Sequence, residues 1–272
     1  MLSYPFMQRA LVAAFLVGLA APAVGTYLVQ RRLALIGDGM GHIALTGVAL
    51  ALLTGTSPVP VALATAILGA VAIELVRWRG RTSADLALAI MFYGGIAGGV
   101  VLIDRAPGGT PATLTKYLFG SISTTSRGDL AVFAVLTVLV LVVALGLSNE
   151  LFAISHDEEY AAAAGMPVLR LNLLLAVMTA VTVVVSMRIV GLLLISALMV
   201  VPVATAQLVG RSFRSTLVLS MLIGVVVSVA GVALSFEQKT QTGGTIVLLA
   251  IALFAAMVIV GAVRRTRSVV SP

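Results

Sequence analysis

No cysteine occurs in this chain of 272 residues, and it carries ten acids and two histidines. Without cysteine there is no disulfide framework, no thiolate metal site and no cysteine nucleophile. Charge of either sign is scarce: Asp, Glu, Lys and Arg together make up 10% of the chain, against about 25% in a soluble domain. A solvated surface cannot be built from so little, which excludes a large soluble core. The net charge of +7 does not describe a nucleic-acid face, because the basic residues fall in short clusters between apolar runs. No alternating strand pattern is present, and no G-x-x-x-x-G-K-[ST] phosphate loop for ATP. Residues 1–10, MLSYPFMQRA, lack the basic start and small-residue cleavage site of a signal peptide, so the first apolar run is expected to stay in the mature protein.

What is abundant is apolar surface: 60% of residues are hydrophobic and the mean hydropathy is +1.16. Nine runs are long enough to cross about 30 Å of hydrocarbon, at roughly 10–29, 33–53, 58–76, 84–103, 130–148, 171–187, 189–209, 215–235 and 244–263. Backbone groups in lipid must be satisfied internally, so all should be helices. The fold class is therefore all-α and polytopic, with about nine membrane spans. The number becomes eight if the first is interfacial, or if the sixth and seventh, parted only by MRI, are one. Small residues such as YGGIAGG (93–99) suit close helix packing. Arginine sets the orientation. Arg31, Arg32, Arg77, Arg79, Arg81, Arg170, Arg211, Arg214, Arg264, Arg265 and Arg267 fall on one side, and Arg9, Arg105, Lys116, Arg127, Arg188 and Lys239 on the other. The richer side is expected to be cytoplasmic, with the N-terminus outside and the C-terminus inside.

Asp38, Glu74 and Asp85 are read as the acids within or bordering these spans. Glu74 lies three residues before Arg77, and Asp85 opens a helix just after Arg81, so both read as structural. Asp38 and His42, in GDGMGH, are different. They sit at i and i+4, on one helix face, expected one to two turns inside the second span. An intramembrane Asp costs about 2.5–3.5 kcal/mol at mid-helix and points to function by default. Carboxylate oxygen and imidazole nitrogen suit zinc, manganese or ferrous iron. An Asp–His bond that merely stitches helices fits the spacing equally well. A proton relay in a secondary transporter is the alternative from another class, although inverted repeats and further intramembrane acids are not evident. An intramembrane metalloprotease would need H-E-x-x-H, which is lacking.

The longest charged loop is SNELFAISHDEEYAAAAGMPVLRLN (148–172). Acids before a run of alanines predict a short surface helix over 156–168, with Gly165 suited to C′ and Pro167 two residues on. His156 lies outside the spans and reads as an ordinary surface histidine.

Four segments in order carry a family resemblance: RRLALIGDGMGHIALTGVALALL around the second span, KYLFGSISTTSRGDL (116–130), DEEYAAAAGMPV (157–168) and RIVGLLLISALMVVPVATAQLV (188–209). Together they resemble the permease subunits of bacterial zinc/manganese ABC importers over nearly the whole chain. More distantly, the later part resembles the cobalamin and siderophore permeases. The resemblance implies a single transmembrane permease domain over 1–272 with a coupling segment at about 149–170. It implies a multi-pass protein of the bacterial cell membrane, paired with a second copy of itself. Two cytoplasmic ATPase chains would carry the ATP, and an external binding protein would deliver the metal. It places Asp38 and His42 on the metal path, with zinc expected before manganese as cargo and no resident cofactor. Glu158, Glu159, Ala162, Gly165 and Pro167 would contact the ATPase. One position departs from the family pattern: the small hydroxyl residue expected just before the histidine is Gly41 here.

Overall fold

The computed structural model describes residues 4–80, 84–106, 115, 117–120 and 127–270, with the side chains at 84–85, 127, 188–189 and 263–270 excepted. Arg81, Ser83, Lys116 and residues 121–126 of the 116–130 segment lie outside the described residues, as do the side chains of Asp85, Arg127 and Arg188. Among the described residues all regular structure is helical. The helices are α1 (Pro5–Gln30), α2 (Ile36–Thr54), α3 (Pro58–Trp78), α4 (Ala84–Arg105) and α5 (Arg127–Gly146). Two short helices follow, α6 (Ser148–His156) and α7 (Glu158–Ala163). The last four are α8 (Val168–Val190), α9 (Leu192–Gln207), α10 (Phe213–Gln238) and α11 (Thr242–Val270).

Eight of these are long and apolar enough to cross a membrane, and α9, with 16 residues, is the ninth apolar helix. At 1.5 Å per residue α9 spans about 24 Å, short of the hydrocarbon thickness. Its length follows from where it begins. The break from α8 comes at Gly191, with φ +87°, a conformation that glycine adopts without strain. Val190 and Leu192 on either side are buried. A Cβ at Gly191 would strike the backbone of Leu118, Phe119 and Gly120 within 2.7 Å. Residues 118–120 thus cover the α8–α9 junction, and irregular backbone at membrane depth is tolerated only when buried in protein in this way. The sequence placed this break at MRI; the chain turns a few residues later, where the glycine is.

The helices extend beyond the apolar runs. Asp104 closes α4, Asp129 lies in the first turn of α5 and Glu237 lies near the end of α10. These acids border spans as well, beyond the three singled out from the sequence. Conversely, α2 starts three residues later than its apolar run, because residues 33–35 form the turn from α1. Asp38 therefore sits in the first turn of α2 rather than one to two turns inside it.

Helix α1 is central, packed against α5, α8, α9 and α10, and α2 packs between α3, α4, α8 and α9. Helices α4, α5 and α11 present much of their apolar surface outward, as lipid-facing helices do. The α2–α4 contact relies on missing side chains. A Cβ at Gly95 would come 2.6 Å from the carbonyl carbon of His42, whereas one at Gly94 would meet nothing within 4 Å. Thr46 reinforces the crossing by donating to the Gly95 carbonyl at 2.7 Å.

The neighbouring glycines give a matched test. Gly94→Ala should leave the melting temperature of the detergent-solubilised protein unchanged or raise it, since alanine favours the helix by about 1 kcal/mol. Gly95→Ala should lower stability by about 1–3 kcal/mol, because the helices must separate to admit the methyl group. Equal melting temperatures for the two variants would contradict the described α2–α4 crossing.

Candidate functional site

Asp38 and His42 lie where α2 meets α9 and α4. Asp38 is at the third position of α2, where a carboxylate complements the free N–H groups of the helix start. Its Oδ1 accepts a hydrogen bond from the Ser196 hydroxyl of α9 at 3.1 Å. His42, one turn along the same face, is 9% exposed. Its ring lies edge-on to Phe92 of α4, with centroids 4.5 Å apart and planes at 75°. The Nδ1 atom of His42 is buried with no hydrogen-bond partner. An unsatisfied buried polar atom costs about 1–3 kcal/mol. That nitrogen is therefore open to a further partner, as are a few other buried polar atoms such as Thr182 Oγ1 and Ser186 Oγ.

Glycine brings the elements this close. A Cβ at Gly41 would stand 1.8 Å from Leu192 Cδ1. The room that a hydroxyl residue before His42 would need is thus filled by Leu192. Ser196, Phe92 and Leu192 were not singled out from the sequence. The available signal was faint: Ser196 is a polar residue in the run LLLISALMVV, with nothing local to say what it faces. Among the described residues, no group of three or more His, Cys, Asp or Glu side chains forms a resident metal centre.

The second cluster lies at the arginine-rich end of the bundle, around Glu158 in α7. Arg31, just past α1, donates to Glu158 Oε2 at 3.0 Å, and Arg77 of α3 donates to the same oxygen at 3.3 Å. Asn172 of α8 donates to Oε1 at 2.7 Å. Arg77 also pairs with Glu74 at 2.8 Å, which accounts for the buried Glu74 as structural. Burial, and then the neighbouring Arg77, push the Arg31 guanidinium below its usual range, while Glu74 and Glu158 pull it back. Glu158 is thus turned toward the bundle, where one carboxylate gathers the ends of α1, α3 and α8. The other residues singled out in this segment face away from the bundle. Glu159, Ala162, Gly165 and Pro167 are exposed, and Tyr160 is 71% exposed.

The segment is shorter and more broken than the sequence suggested. Asp157 accepts from the Tyr160 N–H at 2.9 Å and caps α7, so the chain is not one helix over 156–168. The end of α7 is as expected. Gly165 has φ +79°, its N–H reaches the Ala162 carbonyl, and Met166 N–H reaches that of Ala161. This pair of bonds is the Schellman closure. His156 stacks on Phe152 at 5.5 Å, and its Nδ1 lies 3.4 Å from Gln30 Nε2, in keeping with a structural surface histidine.

The fold is thus an all-helical bundle of membrane-length helices, with an acid–histidine pair on α2 and small exposed residues at the arginine-rich end. The chain belongs to the ABC 3 transport family, which it matches over residues 3–261. It is 34% identical over 255 residues to the manganese transport system membrane protein MntC of Halalkalibacterium halodurans, covering 94% of this chain and 87% of that one. It is 33% identical over 257 residues to the chelated iron transport system membrane protein YfeD of Yersinia pestis, covering 94% and 86%. The fold matches PsaBC from Streptococcus pneumoniae, solved in complex with Fab, with a TM-score of 0.83, 31% identity, and coverage of 94% of this chain and 92% of that one. The family membership implied by the four sequence segments is thereby established.

Removing the charge at Glu158 should loosen α7 without unfolding the spans. Glu158→Gln should cost the segment about 1–3 kcal/mol, since hydrogen bonds to charged groups contribute about that much. Amide exchange over 157–167 should rise while exchange in α1 and α8 stays slow. Unchanged protection across 157–167 would rule out Glu158 as the anchor.

Proposed function

We propose that this chain is the membrane permease of an ATP-driven importer that carries a divalent transition-metal ion into a bacterial cell. Asp38 and His42 contact the ion in transit. The single observation that carries this reading is the buried His42 imidazole, its Nδ1 unpartnered, one turn from a carboxylate on the same helix. Family membership and the manganese and iron relatives support it. With oxygen and nitrogen donors and no thiolate, the pair suits manganese and ferrous iron as well as zinc. The names of the relatives support manganese first and iron second as the inferred cargo, where the sequence resemblance puts zinc first. Few protein ligands fit a passing ion, which must leave as readily as it enters.

The chain works with others. It has no phosphate loop, so ATP hydrolysis belongs to a separate ATPase, present in two copies, that docks on Glu159, Ala162, Gly165 and Pro167. Glu158 anchors that segment from behind. A second copy of the permease completes the path, and an external metal-binding protein delivers the ion. The arginine-rich end faces the cytoplasm of a plasma-membrane protein whose N-terminus is outside.

Asp38→Asn keeps the shape and an oxygen acceptor but removes the charge. Manganese uptake by cells expressing it should fall at least about tenfold, the lower end of what loss of even an outer-shell partner costs a metal site. The amount of folded protein in the membrane should be unchanged. Wild-type uptake by a well-expressed Asp38→Asn protein would leave the pair as helix glue.

The orientation has its own test, and the absence of native cysteine makes it clean. In intact cells a cysteine replacing Gln241, between α10 and α11, should react with an impermeant thiol reagent. A cysteine replacing Arg79, just past α3, should react only after permeabilisation. The reverse pattern would invert the topology.

A further inference from the structure

We propose that Ser196 is a positioning residue for the metal path: its hydroxyl holds the Asp38 carboxylate in the orientation that meets the ion. This rests on the reading of Asp38 and His42 as ion contacts.

Helix α9 crosses α2 in antiparallel fashion along one stripe. Leu192, Ser196 and Met199 stand at i, i+4 and i+7, which places them on one face of α9. Opposite them on α2, in reverse order, are Gly41, Asp38 and Gly37. A Cβ at Gly41 would meet Leu192 Cδ1, one at Gly37 would lie 3.1 Å from Met199 Sδ, and between them Ser196 Oγ donates to Asp38 Oδ1 at 3.1 Å. The polar contact is bracketed by apolar ones, since Leu192 and Met199 are buried and so are both glycines. The bond itself is half-buried, held between these apolar contacts.

The direction of the hydroxyl is also informative. Ser and Thr within helices commonly turn back to the carbonyl four residues earlier. Thr205 and Thr179 do so here, donating to Val201 and Leu175. Ser196 instead reaches across to a residue 158 positions away in the chain. A carboxylate has about four acceptor sites, and one hydroxyl donor fills one of them. The carboxylate is thereby fixed while Oδ2 and a lone pair of Oδ1 remain for an ion. The same bond ties α9 to the path, so movement of α9 relative to α2 alters how Asp38 is held.

The test uses the complete transporter in cells, with manganese and zinc ions as the probes. Ser196→Ala should reduce manganese uptake by about 10–100-fold, the usual cost of losing a group that orients a metal-contacting side chain. Ser196→Thr, which keeps the hydroxyl, should retain uptake within about twofold. Membrane levels and melting temperatures of both should match the parent. Ser196→Cys replaces the hydroxyl by a soft thiol beside Asp38, and zinc should then inhibit manganese uptake at about tenfold lower concentration, since thiolates select zinc. Parental uptake in Ser196→Ala, failure of Ser196→Thr to retain uptake at normal membrane levels, or unaltered zinc inhibition in Ser196→Cys would each overturn the assignment. The outcome for Asp38→Asn separates the two levels. If that variant is inactive while the Ser196 variants behave as the parent, only the role of Ser196 falls. If it transports normally, the metal path itself falls.

Discussion

The architecture around the site depends on backbone approach that side chains would prevent. Lipid offers no hydrophobic drive between helices, so association relies on close contact and on polar bonds across helices. Helix α2 lies against α4 at Gly95 and against α9 at Gly41, and in both places even a methyl group would overlap a neighbour. These clearances let Phe92 reach the His42 ring and Ser196 reach the Asp38 carboxylate. The polar atoms are few, and the glycines position them.

The arginine-rich end uses the opposite strategy. There long charged side chains, not missing ones, join the helices. Arg31, Arg77 and Asn172 converge on Glu158 from three spans. The arginines are largely buried while the Glu158 side chain is 44% exposed. The exposed carboxylate compensates two positive charges that would be costly to leave unpaired. It also fixes the orientation of α7, so that the small residues after it face outward. A push on α7 from outside the bundle would be felt by α1, α3 and α8 together, because all three share its anchor.

Much of this was legible in the chain because it is local. Apolar runs of membrane length give the helices, and their number follows once α9 is accepted as short. Gly165 was placed at C′ of α7 from an acid–alanine–glycine pattern, since a helix end is closed by bonds between residues a few positions apart. Asp38 and His42 stood out because ionisable residues are rare in a helix otherwise apolar. Other features were not legible. Asp157 proved to be a cap that divides α6 from α7, a choice between two local structures that composition alone leaves open. The break before α9 fell at Gly191 because residues 118–120, far away in sequence, cover that turn.

The sequence by itself determined that this is a helical membrane protein with most of its arginines at one end, an acid–histidine pair on one helix face, and an acid-and-alanine segment between spans. These are properties of composition and short spacing, where partition into lipid and helix periodicity decide. Only the tertiary structure decided which groups meet: that Ser196 donates to Asp38, that the His42 nitrogen is left without a partner, and that Glu158, though half-exposed, is bonded by Arg31, Arg77 and Asn172. Each of these depends on the angle and depth at which helices cross. That geometry is set by packing between residues more than a hundred positions apart in some pairs, such as Asp38 with Ser196 and Arg31 with Glu158. No local pattern encodes it.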